Sequence, residues 1–536
     1  MPADDWWKNG IVYQVYPRSF QDSDGDGIGD LPGICRRLDY LVDLGVDAVW
    51  ISPIYPSPMA DFGYDISDYC AIDPRFGSLA DFDVLMEQAK ARGLKLILDF
   101  VPNHSSDQHP WFIESRRSRA DPKRDWYLWR DPAPDGSPPN NWLSNFGGPA
   151  WTLDVPTGQY YCHSFLPQQP DLNWRNPQVR AAMYDAMRFW LRRGVDGFRI
   201  DVLYHLIKDD QFRDNPANPH FVAGGDAAHR LLPLYTTDRP EVQEIAREMR
   251  RVADAFSDAA SSRVLIGELY LPLARLMAYY GSDGQGLLQG VQLPFNFQLI
   301  GADWQAAALD RIVRAYEAAL PPGAAPNWVI GNHDKPRIAS RVGALHARLA
   351  AMLLLSLRGT PTLYYGDELG MTDALIPPEE VQDPFEKNVP GKGLGRDPQR
   401  TPMQWCGDER HAGFTQGTPW LRLGDEWATC NVEVERNAPS SMLNLYRRLI
   451  ALRRREPALH EGRYEALEAG ESVLAYARVA GERRLLVALN FSDSAVVLPP
   501  GLVADGARVL VSTHDAMPDA AQPPRTLRPG EGVVIA

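Results

Sequence analysis

Eight short apolar runs recur along the chain, and most of them are followed by a stretch with helical periodicity. Apolar runs that alternate with amphipathic helices indicate β/α units whose strands lie parallel in one sheet. Eight such units close a (β/α)8 barrel, in which the carboxyl ends of all strands meet at one mouth. The pattern predicts a TIM barrel of the α/β class. The runs are Ile11–Tyr16, Ala48–Ile51, Leu94–Phe100, Gly197–Val202, Val264–Leu269, Gly290–Phe295, Trp328–Gly331 and Thr362–Tyr365.

Helical periodicity and changes of pattern predict how the rest of the chain is organised. The clear helix candidates are Leu79–Arg92, Asn176–Arg193, Pro240–Ala259, Ala344–Arg358 and Ser440–Arg455. Roughly 70 residues rich in Pro, Trp, Asp and Asn follow the third run, too many for a passive connection. We predict a barrel over 1–103 and 175–460, and an insertion over its mouth at 104–174. The short β-like runs near the C-terminus predict an antiparallel β-sandwich over 461–536.

The net charge and the cysteines indicate which partners and which cellular compartment the protein is suited to. The formal net charge of −14 argues against nucleic acid, whose phosphates need a basic face, and against an anionic membrane surface. The five cysteines are odd in number and lack metal-ligand spacing, which favours reduced thiols. The segment Met1–Lys8 lacks a signal-peptide layout, and no uninterrupted apolar run has membrane-spanning length. We expect a soluble, cytoplasmic protein, a monomer or a homodimer.

Three acidic residues stand at or just after the ends of these apolar runs. Asp201 ends GFRID, Glu268 follows RVLIG and Asp334 closes NHD. Because the strand ends of a closed barrel meet at one mouth, we expect these carboxylates to lie close together. Arg199 lies two residues before Asp201, so it faces the same side of the strand and can keep that carboxylate ionised. A fourth acid, Asp99, lies within the third run.

Such a set of carboxylates matches the needs of glycosidic bond cleavage. One carboxylic acid protonates the leaving oxygen, and a second carboxylate, about 5–5.5 Å away in retaining enzymes, forms a covalent intermediate. We expect Arg199 to lower the pKa of Asp201, and apolar and acidic surroundings to raise that of Glu268. Each acid alone could instead cap the helix after its strand. Together with Arg199, His104 and His333 near the strand ends, the set favours catalysis.

A carboxylate-rich loop, QDSDGDGIGD, follows the first predicted strand. Its glycines permit tight wrapping, and its hard oxygen ligands select Ca²⁺ or Mg²⁺. The loop begins like an EF-hand, but no Glu occupies the twelfth position. We predict a structural Ca²⁺ or Mg²⁺ site and no organic cofactor, with a solvated acidic turn as the alternative. The predicted carboxylate ligands are Asp22, Asp24, Asp26 and Asp30.

The combined motifs resemble the α-amylase family, glycoside hydrolase family 13. DFVPNH, GFRID, the strand before Glu268 and NHD occur in the order and approximate spacing of its four signature regions. The segments WWKNGIVYQVYPRSF, DFGYD, QPDLNW and GRDPQRTPMQW resemble its oligo-1,6-glucosidase and α-glucosidase branch. The resemblance runs from Trp6 to about Phe491, and the motifs are specific in combination.

The resemblance implies a role for each matching residue. It implies Asp201 as the nucleophile, Glu268 as the general acid and then base, and Asp334 as the carboxylate that grips the 2- and 3-hydroxyls of the sugar. It adds the carbonyl of Ile28 to the metal site. It also implies a pocket for a non-reducing glucose lined by Asp61, Tyr64, His104, Arg199, His333 and Arg400, with further pocket and aglycone-side positions at Phe146, Phe165 and Gln169.

Several of these positions have a physical task of their own. We expect Asp61 and Arg400 to form a charged pair that binds the 4-hydroxyl and blocks a longer chain, which makes the site exo-acting. Tyr64 can stack on the apolar face of the sugar. The two histidines, His104 and His333, can donate to hydroxyls in bonds that strengthen in the transition state.

The predicted activity is that of an exo-acting retaining α-glucosidase that releases glucose from short α-glucosides or transfers it to hydroxyl acceptors. In the branch that the chain resembles, Val202 after the nucleophile tends to accompany α-1,6 cleavage. The continuation Leu203–His205 departs from that type, and we expect maltose-type α-1,4 substrates. The alternatives are an oligo-1,6-glucosidase or a sucrose- or trehalose-forming isomerase or synthase. A catalytically silent sugar-binding protein is disfavoured because all three acids are present.

Overall fold

The predicted barrel is confirmed in a computed structural model of the chain. The structure describes residues 5–222, 224–258, 261–514 and 525–536. Parts of three predicted segments lie outside these ranges: residues 1–4, 223 and 259–260 of the barrel, Ala259 of the third helix candidate, and 515–524 of the C-terminal domain. Eight parallel strands close the barrel in the order β1-β8-β7-β6-β5-β4-β3-β2. They are β1 (Val12–Val15), β2 (Ala48–Ile51), β3 (Lys95–Phe100), β4 (Gly197–Ile200), β5 (Val264–Gly267), β6 (Leu293–Asn296), β7 (Asn327–Val329) and β8 (Thr360–Tyr364).

Strand burial and register position the side chains at the mouth. Nearly every barrel strand residue is buried, as expected when helices cover one face and packed side chains fill the other. The register of β3 and β4 pairs Asp99 with Arg199, and that of β4 and β5 pairs Ile200 with Gly267. Two polar side chains of neighbouring strands therefore lie side by side inside the barrel, near its carboxyl end.

Several helices begin where the sequence provides a cap. Ser78 and Asp81 form a capping box at the start of the third helix, and Asn176 caps the fifth ahead of Pro177. All five predicted helices are present, with their ends shifted by at most six residues. The helices are α1 (Leu31–Arg36), α2 (Leu38–Leu44), α3 (Leu79–Ala91), α4 (Pro110–Ser115), α5 (Pro177–Arg192), α6 (Val242–Asp254), α7 (Leu273–Ala278), α8 (Ala306–Ala319), α9 (Ile338–Ser356), α10 (Pro384–Asn388), α11 (Val432–Asn437), α12 (Met442–Arg455) and α13 (Pro457–His460).

One of these helices, α9, is long and apolar enough to cross a membrane by length and composition. Most of its second half is buried, and it packs against α12 and the C-terminal sheet. Gly343 interrupts its helical backbone with a φ of 77°. These contacts are those of a core helix.

The segment between β3 and α5 carries its own small sheet. Its three antiparallel strands lie in the order Trp129–Arg130, Gln159–Cys162 and Trp151–Asp154. An isolated bridge between His104 and Asp171 brings the two ends of the segment together. The segment therefore leaves and re-enters the barrel at one place, beside the end of β3.

The described residues of the C-terminal segment, 461–514 and 525–536, form two antiparallel sheets. The larger has the order β9-β10-β11-β13-β12, and the smaller pairs Val496–Val497 with Thr526–Leu527. Both sheets contribute to one hydrophobic cluster, which includes Val473, Ala488 and Leu527. The strands of the larger sheet are β9 (Arg463–Leu467), β10 (Val473–Ala480), β11 (Arg483–Asn490), β12 (Val509–Ser512) and β13 (Gly532–Ile535).

Candidate active site

One guanidinium contacts three carboxylates, which lie in β3 or directly after β4 and β5. Arg199 Nη1 donates to Asp99 Oδ1 at 2.9 Å and to Asp201 Oδ1 at 2.7 Å. Its Nη2 lies 2.8 Å from Glu268 Oε2. All four side chains are less than a tenth exposed. The carboxylates of Asp201 and Glu268, 67 residues apart in sequence, thus face one shared space.

This sharing corrects one expectation drawn from the sequence. The sequence predicts that Arg199 lowers the pKa of Asp201 and so separates the two acids, but Arg199 contacts both of them and the pKa of Asp201 is raised. Burial raises the pKa of Asp201 and of Glu268, and Arg199 opposes that rise at each of them. Burial also raises the pKa of Asp99 to about 6. Because three buried carboxylates compete for one guanidinium, the group retains a proton more readily than a single exposed acid would.

The backbone after Asp201, the predicted nucleophile, distinguishes the two acids. Val202 has a φ of 36° and a ψ of 45°, in the left-handed region that β-branched residues rarely occupy. In this conformation its N–H donates to Glu268 Oε2 at 2.9 Å. Glu268 Oε2 therefore contacts both Arg199 and the Val202 N–H, and a proton on this carboxyl group would lie on Oε1.

Asp334 and its neighbours form the next part of the site. His333 Nδ1 lies 2.8 Å from the Gln14 amide nitrogen, and its Nε2 lies 2.7 Å from the Tyr64 hydroxyl. An amide nitrogen can only donate, so Nδ1 accepts and Nε2 carries the proton. Burial lowers the pKa of His333, which keeps the ring neutral. Burial acts to raise the pKa of Asp334, but the nearby arginines, chiefly Arg400, hold it below its usual range.

The prediction of a charged pair between Asp61 and Arg400 is wrong. Arg400 donates through Nε to the His333 carbonyl at 2.8 Å and through Nη2 to Asp334 Oδ1 at 2.9 Å. These acceptors turn its guanidinium away from Asp61. Arg396, four residues earlier, takes its place and donates through Nη2 to Asp61 Oδ1 at 2.6 Å.

The predicted residues of the inserted segment also reach this pocket. Gln169 Nε2 donates to Asp61 Oδ2 at 3.1 Å and lies 3.1 Å from His104 Nε2. The ring of Phe165 lies 5.3 Å from that of His104 and 5.5 Å from that of Phe146. Burial lowers the pKa of His104 to about 4, so its ring is neutral near pH 7. The structure therefore brings together all nine predicted pocket residues, with Arg400 in a different pairing.

The first loop gathers part of the predicted metal-ligand set. Asp22, Asp24 and Asp30 each offer a carboxylate oxygen, and these oxygens lie within 4.8 Å of one another. The carboxylate of Asp26 instead accepts the Ile28 N–H at 2.7 Å. Three hard oxygens at this spacing fit Ca²⁺ or Mg²⁺, which take six or more oxygen ligands from side chains, carbonyls and water.

Comparison with known proteins decides the family. The family described as "Alpha amylase, catalytic domain" matches residues 14–462. The chain is 42% identical to a probable α-glucosidase of Rhizobium meliloti, over 92% of this chain and 91% of the relative. The chain belongs to the α-amylase family. It is also 39% identical to an oligo-1,6-glucosidase of Halalkalibacterium halodurans, over 99% and 98% of the two chains.

Solved structures place the chain in the same branch of the α-amylase family. An α-glucosyl transfer enzyme superposes with a TM-score of 0.91 at 41% identity, over 99% of both chains. An isomaltulose synthase from Klebsiella sp. LX3 superposes with a TM-score of 0.87 at 35% identity, again over 99% of both. The chain is a glycoside hydrolase of the α-glucosidase branch, and its relatives differ in the bonds they make or break.

Two features of this α-amylase-family site escaped the sequence analysis. One is Arg396, the first of two arginines in GRDPQR; the only available signal was a second basic residue in the same motif. The other is Lys208, whose Nζ lies 2.8 Å from Asp171 Oδ2 and 2.7 Å from both Asn103 Oδ1 and the His205 carbonyl. Lys208 is buried, and it ties the inserted segment to the loop after β4.

Proposed function

We propose that the protein is an exo-acting retaining α-glucosidase that works through a covalent glucosyl-Asp201 intermediate. The observation that carries the proposal is the single guanidinium of Arg199, which holds Asp201 and Glu268 toward one space. A nucleophile and an acid must both reach one anomeric centre in a retaining mechanism. Burial raises the pKa of Glu268, which favours the second requirement, a proton available near neutral pH.

The proposed reaction has two balanced steps. Asp201 attacks the anomeric carbon while Glu268 gives its proton to the glycosidic oxygen, so the aglycone leaves as an alcohol and a glucosyl ester forms. Ionised Glu268 then takes a proton from water or from an acceptor hydroxyl, whose oxygen attacks the same carbon and frees Asp201. Asp334, whose pKa is held low, stays ionised and accepts hydrogen bonds from the 2- and 3-hydroxyls.

The substrates that we propose are short α-glucosides, with a preference for maltose-type α-1,4 bonds. The relatives include both α-glucosidases and oligo-1,6-glucosidases, and Val202 beside the nucleophile is the feature that favours α-1,6 cleavage. Similarity to an α-glucosyl transfer enzyme supports transfer to hydroxyl acceptors alongside hydrolysis. Similarity to isomaltulose synthases supports the alternative of sucrose isomerisation.

We also propose that the first loop binds a structural Ca²⁺ or Mg²⁺ through Asp22, Asp24 and Asp30, with Asp26 and the Ile28 carbonyl completing the set. The bound ion would offset the mutual repulsion of carboxylates held within 4.8 Å. None of these side chains belongs to the catalytic group, so the ion would contribute to the stability of the fold.

Product analysis with maltose, isomaltose, sucrose and trehalose tests the proposed activity. We expect glucose from maltose, with retention of the α configuration in the first product, and loss of at least about 10³-fold in kcat for Asp201→Asn and Glu268→Gln. Faster cleavage of isomaltose than of maltose would contradict the α-1,4 preference. Conversion of sucrose to an isomer without glucose release would favour the synthase alternative. Lack of turnover of every α-glucoside would contradict the proposed function.

A further inference from the structure

A cleft outside the catalytic pocket lies between the inserted segment and the loop after β4. Its volume is about 440 Å³, within the range of ~300–1,000 Å³ that is common for small-molecule sites. The inserted segment contributes Arg124, Trp129 and Arg130 to its lining, and the loop contributes Asp210 and Phe212. In the part of the chain that the structure describes, no residue of the candidate active site lines this cleft. A ligand bound here would contact two segments of the chain without entering the catalytic pocket.

Two guanidiniums in this cleft lie over aromatic rings. The guanidinium carbon of Arg124 lies 3.5 Å from the centre of the Trp129 ring, and that of Arg130 lies 3.6 Å from the centre of the Phe212 ring. A guanidinium that stacks on a ring keeps its N–H edge available for an oxyanion. Both cations are therefore positioned before a ligand arrives, which lowers the entropy lost on binding.

Neither guanidinium forms an ion pair with a carboxylate among the described residues. Arg124 donates to the Ser115 carbonyl at 3.0 Å and to Gln159 Oε1 at 2.6 Å, and its buried Nε has no hydrogen-bond partner there. Arg130 donates to the Trp129 carbonyl at 3.0 Å. Burial lowers the pKa of both guanidiniums, that of Arg124 to about 10, so both stay charged near pH 7.

The acids around these two guanidiniums are engaged by other groups. Asp154 pairs with Arg116 at 2.7 Å, and Asp131 pairs with Arg119 at 2.9 Å. Asp125 accepts hydrogen bonds from side-chain amides. The cleft thus holds two cations that no neighbouring acid neutralises, in a chain whose net charge is −14. Arginines in this state favour phosphate, whose oxygens a guanidinium can bind through two N–H groups at once.

The wall that follows β4 supplies a hydrogen-bond acceptor. Asp210 lines the cleft and is exposed, and no hydrogen bond or ion pair engages its carboxylate within the described ranges. A free carboxylate repels inorganic phosphate, but it accepts hydrogen bonds from hydroxyl groups. The cleft therefore fits a ligand that carries a phosphate at one end and hydroxyls at the other.

We propose that this cleft binds a sugar phosphate, with the phosphate on Arg124 and Arg130 and the sugar hydroxyls on Asp210. The site lies outside the catalytic pocket, so the inference goes beyond the proposed function. Arg175 lines the same cleft, and its Nη1 donates to the Lys208 carbonyl at 2.7 Å. A bound ligand should therefore stabilise the contact between the inserted segment and the loop after β4, and raise the Tm.

Calorimetric titration with glucose 6-phosphate, inorganic phosphate and glucose tests the proposal. For the wild type we expect a Kd for glucose 6-phosphate at least about tenfold below that for inorganic phosphate. Arg130→Gln and Arg124→Gln each remove charge-assisted hydrogen bonds, so each should raise the Kd for glucose 6-phosphate about tenfold or more. Neither variant should change the binding of glucose, which has no phosphate. Asp210→Asn should reduce the preference for glucose 6-phosphate over inorganic phosphate.

A matched variant separates this role from a general loss of positive charge. Arg117→Gln removes an exposed arginine of the inserted segment that does not line the cleft, and it should leave every Kd at its wild-type value. If Arg124→Gln is unstable, the exposed Arg130 carries the test. The same Kd for glucose 6-phosphate in the wild type and in Arg130→Gln, or no binding by the wild type, would overturn the inference. Equal affinities for inorganic phosphate and glucose 6-phosphate would overturn the role of Asp210.

Discussion

The site has two halves that are built in different ways. The strand-built half stands on three neighbouring barrel strands and consists of Asp99, Arg199, Asp201 and Glu268. The loop-built half comes from the segment after β2, the inserted segment and the segment after β8, and consists of Asp61, Phe146, Asp383 and Arg396. The hydrogen-bonded register of the strands fixes the positions of the strand-built residues. Ion pairs and ring contacts between loops fix the positions of the loop-built residues. The chemistry is thus placed on the rigid part of the fold, and the selection of substrate length on the part that loops can vary.

The largest effect should come from breaking the strand-built half while keeping its charge. In the wild type, two guanidinium nitrogens of Arg199 contact three carboxylates. Arg199→Lys replaces them with a single ammonium, so Asp201 and Glu268 are no longer held by one group. We expect kcat to fall ~10²–10³-fold, equally for maltose and for longer substrates. Arg188→Lys, in an exposed i,i+3 pair on α5, is the matched control. A change in chain-length preference without loss of kcat would contradict the division between the two halves.

The next effect should come from the tie between the inserted segment and the barrel. Lys208→Met leaves the buried carboxylate of Asp171 without its cation, which costs about 3 kcal/mol or more of unfolding free energy. Urea unfolding measures this loss. Lys123→Met, which breaks the partly exposed pair with Glu114 in the same segment, should cost less than about 1 kcal/mol. Equal losses in the two variants would show that the buried contact does not anchor the segment.

The smallest effect should come from the first loop, which belongs to neither half. Addition of Ca²⁺ to metal-free protein at about 100 times its Kd should stabilise the fold by ~2.7 kcal/mol, seen as a rise in Tm. Asp24→Asn should abolish that rise while kcat changes little, because the bonds of the neighbouring Asp22 carboxylate go to the backbone N–H groups of its own loop and not to the catalytic acids. Asp39→Asn, an exposed acid on α2, controls for loss of charge. A Tm that does not respond to Ca²⁺ or to Mg²⁺ would show that the loop is a solvated acidic turn.

The same division explains what the sequence could and could not predict. Period-two alternation places Arg199 and Asp201 on one face, and strand ends in a closed barrel converge, so the pattern predicts which residues belong to the strand-built half. The partner of Asp61 could not be predicted in this way, because GRDPQR contains two arginines. Only the fold shows that the second of them, Arg400, donates to Asp334 and to the His333 carbonyl. The shared contact of Arg199 with Glu268 was also beyond reach, because it depends on the distance between β4 and β5 side chains. The left-handed backbone at Val202 has no sequence signal, as β-branched residues disfavour it.

Covalent trapping tests the central claim most directly. The substrate is a glucosyl fluoride that carries a second fluorine on its ring, and its anomeric fluoride leaves without help from an acid. In Glu268→Gln the second step lacks its base, so the glucosyl ester should accumulate. Digestion and mass spectrometry then locate the adduct. We predict a fluoroglucosyl group on the peptide that contains Asp201, and its absence in Asp201→Asn. An adduct on the peptide of Asp334 or of Asp99, or turnover without any adduct, would contradict the assignment of Asp201 as the nucleophile.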